Sequence, residues 1–239
     1  MLTFEDFDVA TGIVKQLNIP ERFGYNIDDD HFYSEELQEQ LDKINICPCC
    51  IDSGITKAVI IPDNYNFVIK IPFNGYWYYS FKDEDDDEGE ETFESFYRAE
   101  APDNTDYCWD ELIKILDAQE AGFGELFPQT ALLFEQSGMR FYIQEKVRTS
   151  RQFKSTPSAE SMERASTIDN KFKKCDQTWR ATVFDVYGEG YWKSFINWDY
   201  NNTLQNDTSS MLSDMHRGNY GYNMEGAPVI LDVAGYRED

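Results

Sequence analysis

The chain has 239 residues, 41% apolar and 15% aromatic, enough to bury a sizeable core in one or two domains and too rich in aromatics for a disordered chain. A formal net charge of −24 with no basic tract to offset it repels nucleic-acid phosphates and anionic lipid, so neither a nucleic acid nor a membrane is an expected partner. No stretch reaches the roughly 20 apolar residues needed to span a bilayer, and the acidic opening MLTFEDFDVATGIVKQLN lacks the blocks of a signal peptide, so a soluble, cytoplasmic protein is expected.

In chain order, Thr3 and Asp6 have the spacing of a helix cap, and Phe4, Phe7, Ile13, Val14 and Leu17 follow at near-helical intervals, which predicts a helix over 4–18. Ser34 is placed to cap a second helix over 35–44. Between them, NIPERFGYNIDDDH has Pro, Gly and Asn/Asp but no apolar period and reads as a connector. Residues 1–45 thus form an amino-terminal helical extension.

Of the five cysteines, Cys47, Cys49 and Cys50 crowd into CPCC, while Cys108 and Cys175 stand apart. Adjacent cysteines bridge poorly and the total is odd, so reduced thiols are expected. CPCC could supply two or three zinc ligands, but no nearby CxxC or HxxxH completes a four-ligand site.

The β-branched runs at 55–61 (ITKAVII) and 66–72 (NFVIKIP), joined by a turn-rich Pro62–Tyr65 linker, predict two adjacent antiparallel strands. The almost wholly acidic run Asp83–Glu91 self-repels and reads as a solvated insertion, with partner or metal binding as the minority reading. From Asp106 to Ala121, Trp109, Leu112, Ile113 and Leu116 fall on one side and Gly122 follows, which predicts an amphipathic helix. Strands at 130–135 and 140–147 complete the order strand, strand, helix, strand, strand, an antiparallel sheet crossed by one helix over 46–147. Beyond it, over 148–239, helices are predicted from Ser158 to about 174 and over 189–199, where NNT breaks the pattern. Short strands around Tyr220–Tyr222 and Pro228–Asp232 flank Asn223–Gly226, a hairpin turn that would hold Asn219 and Asp232 at the open end. The expected class is α+β.

Two segments carry chemistry: LSDMHRGN at 212–219 and VILDVAG at 229–235. This pattern resembles the catalytic core of the protein-kinase-like superfamily, in which an Asp lies five positions before an Asn and a hairpin later delivers a second Asp. The D-x-H-x-x-N form is similar to the small-molecule kinases of the aminoglycoside and choline type and to atypical protein kinases. The resemblance implies a two-lobed fold with an antiparallel amino-terminal lobe and a reduced, mostly helical carboxy-terminal lobe. It implies that Asp214 orients the acceptor hydroxyl and receives its proton, while Asn219 and Asp232 hold Mg²⁺ on the phosphates of ATP. His216 braces the turn or touches a phosphate and stays outside the catalytic set.

Upstream, VIKI at 68–71 resembles the strand that carries the phosphate-contacting lysine of that superfamily, which makes Lys70 its counterpart, and Glu111 is preferred over Glu120 as the helix carboxylate that pairs with it. The first hairpin should carry a glycine-rich phosphate loop, yet IDSGITK at 51–57 has only Gly54, which could form a small anion nest with Ser53 or Thr56. Only seven residues follow Asp232, which leaves three expectations for the reduced second lobe: completion by the amino-terminal helices, completion by an oligomer or protein partner, or no peptide binding at all. The leading expectation is an ATP- and Mg²⁺-dependent phosphotransferase acting on an unidentified protein or small-molecule hydroxyl. The alternative is a pseudokinase or assembly protein, and transfer of the nucleotidyl group is a third reading.

Overall fold

The computed structural model describes residues 1–19, 23–26, 31–32, 34–44, 49–53, 56–73, 75–80, 95–99, 106–149, 155–167, 176–206, 210–213, 215 and 218–233. The chain is a mixed α+β protein containing a five-stranded antiparallel sheet. It divides into two compact units, one comprising 1–2, 109–131 and 144–239, the other 3–108 and 132–143. The acidic run 83–91, Gly54, Asp214 and His216 lie outside the described residues.

In the second unit, α1 (Phe4–Val14) opens on a capping box: the Asp6 amide donates to Thr3 Oγ1 at 3.2 Å and the Thr3 amide to Asp6 Oδ2 at 2.7 Å. Two orphan donors of the first turn are thereby satisfied from the sequence pair that predicted them. The helix ends earlier than expected, and Phe4 is 94% exposed; the buried stripe is Ala10, Ile13 and Val14. Helix α2 spans Ser34–Lys43 and buries Leu37 and Leu41 at i, i+4.

The five-stranded sheet has the order β3 (Cys49–Ser53), β4 (Lys57–Pro62), β5 (Phe67–Pro72), β9 (Met139–Glu145), β8 (Thr130–Gln136). The predicted hairpin of β4 and β5 pairs Val59 with Lys70 and Ala58 with Ile71. Every residue of β5 is buried, as in a strand covered on both faces. In β3, Cys49 is buried and Cys50 exposed, because successive side chains of a strand point to opposite faces, so these two thiols do not converge on one ion.

The segment read as a connector instead contains β1 (Gly24–Asn26) and β2 (His31–Phe32). With β6 (Gly75–Ser80) and β7 (Ser95–Ala99) they form a second sheet, order β2-β1-β6-β7, in which β1 runs parallel to β6 with Tyr25 opposite Tyr76. Strands of two or three residues have no readable period, and a parallel partner fifty residues away leaves no local trace.

The first unit holds most of α3 (Tyr107–Glu120), then α4 (Ala159–Thr167), α5 (Gln177–Tyr187), α6 (Glu189–Asn206) and a three-stranded sheet β10 (Arg148–Thr149), β11 (Tyr220–Tyr222), β12 (Pro228–Ile230). Ser158 caps α4 by accepting from the Ser161 amide at 3.2 Å. Helix α5 was not predicted. It begins at an Asp176 cap, whose carboxylate accepts from the Thr178 and Trp179 amides at 2.8 and 3.3 Å, and stops at Gly188 with φ 87°. Residues 179–184 are all buried, so this helix has no amphipathic stripe for a periodicity argument to find. Helix α6 continues through Asn201, Asn202 and Thr203 instead of breaking there, and the Thr203 hydroxyl donates to the Asp199 carbonyl at 2.8 Å.

An aromatic core joins these elements: Trp179 lies against Tyr220 at 5.0 Å and edge-on to Trp192 at 6.0 Å, and Phe123 packs against Phe195 and Trp198 of α6. Among the described residues, Arg180 is buried beside this core with no hydrogen-bond partner for its Nε. No described helix is long and apolar enough to cross a membrane.

Candidate functional site

The hairpin β11–β12 closes with Tyr220 opposite Ile230, Gly221 opposite Val229 and Tyr222 opposite Pro228. Its turn is held by Asn223, whose side-chain oxygen accepts from the Glu225 and Ala227 amides at 3.0 and 2.9 Å, while Gly226 has φ 88°. At the opposite end, the Leu231 amide donates to the Asn219 carbonyl at 2.8 Å. Asn219 and Asp232 therefore leave the hairpin at neighbouring positions on its two arms. Asn219 is buried and Asp232 half-buried.

Three bonds from helix α5 and its cap fasten the hairpin. Trp179 Nε1 donates to the Gly221 carbonyl at 2.9 Å, the Asp176 amide to Tyr220 Oη at 2.8 Å, and the Tyr187 hydroxyl to the Pro228 carbonyl at 3.1 Å. Burial raises the Tyr187 hydroxyl above the usual tyrosine range, and the neighbouring Glu125 charge adds to it, so the hydroxyl keeps its proton and remains a donor. Strand β10 lies along β11 with Thr149 opposite Gly221, so close that a Cβ at 221 would stand 2.4 Å from the Arg148 carbonyl oxygen.

The segment that precedes Asn219 is anchored at its start. Asp199, buried on α6, accepts from Ser210 Oγ at 2.5 Å and from the Met211 amide at 2.9 Å. The Leu212 amide donates to Ser210 Oγ at 3.1 Å, the Ser213 amide to the Ser210 carbonyl at 3.0 Å, and Met211, Leu212 and Met215 are buried in the aromatic core. Desolvation raises the Asp199 pKa, opposed by the Ser210 and Met211 hydrogen bonds and by the charge of Lys114. Lys114 on α3 donates from Nζ to the Val233 carbonyl at 3.1 Å, one residue after Asp232.

Glu111, on the same helix in the first unit, is buried and accepts from Gln144 Nε2 at 3.3 Å, which also donates to Thr130 Oγ1 at 2.9 Å; Glu120, at the helix end, is exposed. Lys70 is buried on β5 of the second unit.

The structure thus sets Asn219 and Asp232 on the two arms at the open end of one hairpin, and places Lys70 and Glu111 in different units. Sequence reasoning missed Asp199 and Lys114. For Asp199 a signal was present: Trp192, Phe195 and Asp199 fall at i, i+3, i+7, so a carboxylate occupied the apolar stripe of its helix. No family model, no curated protein and no solved structure matches the chain.

Proposed function

We propose that this chain is a kinase-like phosphotransferase of two lobes that uses ATP and Mg²⁺ to phosphorylate a hydroxyl of an unidentified protein or small molecule. The observation that carries the reading is the open end of the β11–β12 hairpin, where the Leu231 amide meets the Asn219 carbonyl at 2.8 Å, one residue before Asp232. The chain order of the elements is compatible with it: a strand bearing Lys70, then β6 and β7, a helix bearing Glu111, strands β8 to β10, helices, the 212–219 segment and the hairpin.

The donor set suits the metal. An amide oxygen and a carboxylate are hard ligands, and Mg²⁺ is commonly bound by one or two protein groups together with phosphate oxygens and water. Among the described residues no group of three His, Cys, Asp or Glu is placed to hold a metal ion. Bound Mg²⁺-ATP would supply the phosphoryl group and offset its charge. The chain's own part is positional: Asn219 and Asp232 fix the phosphates, Asp214 orients the acceptor hydroxyl and takes its proton, and Lys70, with Glu111 and Gly54, steadies the nucleotide. Local cations suffice despite the net charge of −24, because screening over roughly 8 Å lets contact-range groups dominate.

The test is a thermal-shift titration with ATP and Mg²⁺, followed by incubation with γ-labelled ATP and cell extract. Melting temperature is expected to rise only when both are present, since a ligand of the native state stabilises it by mass action. Asp232→Asn should weaken that shift, and Asp214→Ala should keep it and abolish transfer. No shift at millimolar Mg²⁺-ATP would overturn the reading in favour of a pseudokinase or assembly protein, which the single glycine of the 51–57 segment favours. Product from α-labelled ATP would instead indicate nucleotidyl transfer.

A further inference from the structure

We infer that Asp199 and Lys114 are positioning residues that hold the two arms of this site, the segment 210–213 that leads toward Asn219 and the end of β12, against the helices of the first unit. The inference assigns them a part in the phosphotransferase site and in that respect rests on the reading above, but the clasp itself is a matter of geometry.

The two arms reach the site by different routes. One leaves α6 and passes through 210–213 before Asn219; the other leaves β12 and passes Asp232 and Val233. Hairpin pairing holds them together only from Asn219 to Leu231, and nothing in that ladder sets where 210–213 begins or where Val233 points. Asp199 does the first. Both its oxygens are used, Oδ2 by Ser210 Oγ at 2.5 Å and Oδ1 by the Met211 amide at 2.9 Å, and the Leu212 amide is tied in through Ser210 Oγ at 3.1 Å. Lys114 does the second through Val233 at 3.1 Å.

Burying a carboxylate in an aromatic core is costly unless it is hydrogen-bonded and faces a positive charge. Asp199 is 3% exposed, and the cation whose charge opposes its desolvation is Lys114, the same residue that holds the other arm. A core that needed only packing at this position would take Leu or Met at lower cost, so the carboxylate is explained by the loop it orders. Such ordering is what transfer chemistry requires, since catalysis by alignment fails when the aligned groups wander.

Amide hydrogen exchange on the full chain tests the clasp without reference to activity. In Asp199→Asn and Asp199→Ala the Met211 and Leu212 amides are expected to exchange at least about tenfold faster, the size expected when a charge-assisted hydrogen bond is lost, while the interior amides of α5 keep wild-type rates. Lys114→Met is expected to loosen Val233 and its neighbours in the same manner. Wild-type protection at 211–212 in Asp199→Asn, or a uniform loss across α5 as well, would overturn the clasp. Asn preserves volume, so it remains informative if the Ala variant fails to fold. The catalytic part is read from Lys114→Met, which should lower kcat while the KM for Mg²⁺-ATP stays within about twofold, as when an interaction made only in the transition state is removed. A KM rise with kcat unchanged would overturn that part. If the wild type transfers no phosphate, the kinase reading and the catalytic part fail together, and the exchange data still decide the clasp.

Discussion

Replacing Gly221 by Ala isolates how tightly β10 and β11 are packed. Gly221 does not have a positive φ, so alanine is allowed by its backbone, and reduced freedom of the unfolded chain would by itself favour the variant by about 0.4–1 kcal/mol. Space decides the sign. The added Cβ would lie 2.4 Å from the Arg148 carbonyl oxygen and 2.8 Å from Val147 Cγ1, against an ordinary contact that begins at 3.4 Å, so the strands must part by about 1 Å. Overpacking of this kind costs about 1–3 kcal/mol, and each ladder hydrogen bond stretched between β10 and β11 adds about 0.5–1.5 kcal/mol. A net loss of about 2–4 kcal/mol follows, which for a chain of this size is a fall in Tm of roughly 5–15 °C. The assay is a denaturant melt and a thermal scan of wild type and variant side by side. A Tm equal to or above that of the wild type would refute the reasoning, because it would mean that β10 yields to the methyl group at no cost.

Two further outcomes follow from single side chains. Arg180→Met is expected to leave stability unchanged or raise it, because a buried guanidinium whose Nε lacks a partner is replaced by an apolar chain of similar length; a clear drop in the urea midpoint would show that the cation is engaged. Asp185 accepts from Ser161 Oγ at 2.7 Å and from the Ser158 amide at 2.7 Å, and these bonds hold its carboxyl below the usual carboxylate range. A pKa depressed in the folded state stabilises fully above the unfolded value near 4 and is lost as pH falls through the folded value. The difference in urea midpoint between wild type and Asp185→Asn should therefore be present at neutral pH and shrink below about pH 4; a gap that is constant with pH would sink the assignment.

What the sequence by itself determined was local. The capping box at Thr3 and Asp6, the hairpin of β4 and β5, helix α3, strands β8 and β9, the Ser158 cap and the Asn223–Gly226 turn all involve residues within a few positions of one another, where side-chain type and backbone preference meet directly. That locality is why the sequence alone places Asn219 and Asp232 at one hairpin end. Tertiary structure alone decided the rest. Helix α5 buries six consecutive residues, 179–184, β1 and β6 pair in parallel across fifty positions, and α6 runs through a segment whose residues favour turns. The bonds from Asp199 to Met211 and from Lys114 to Val233 span 12 and 119 residues. No pattern in a window of the chain encodes such pairings, because their free energy arises only once distant elements have packed and excluded water from the groups they join.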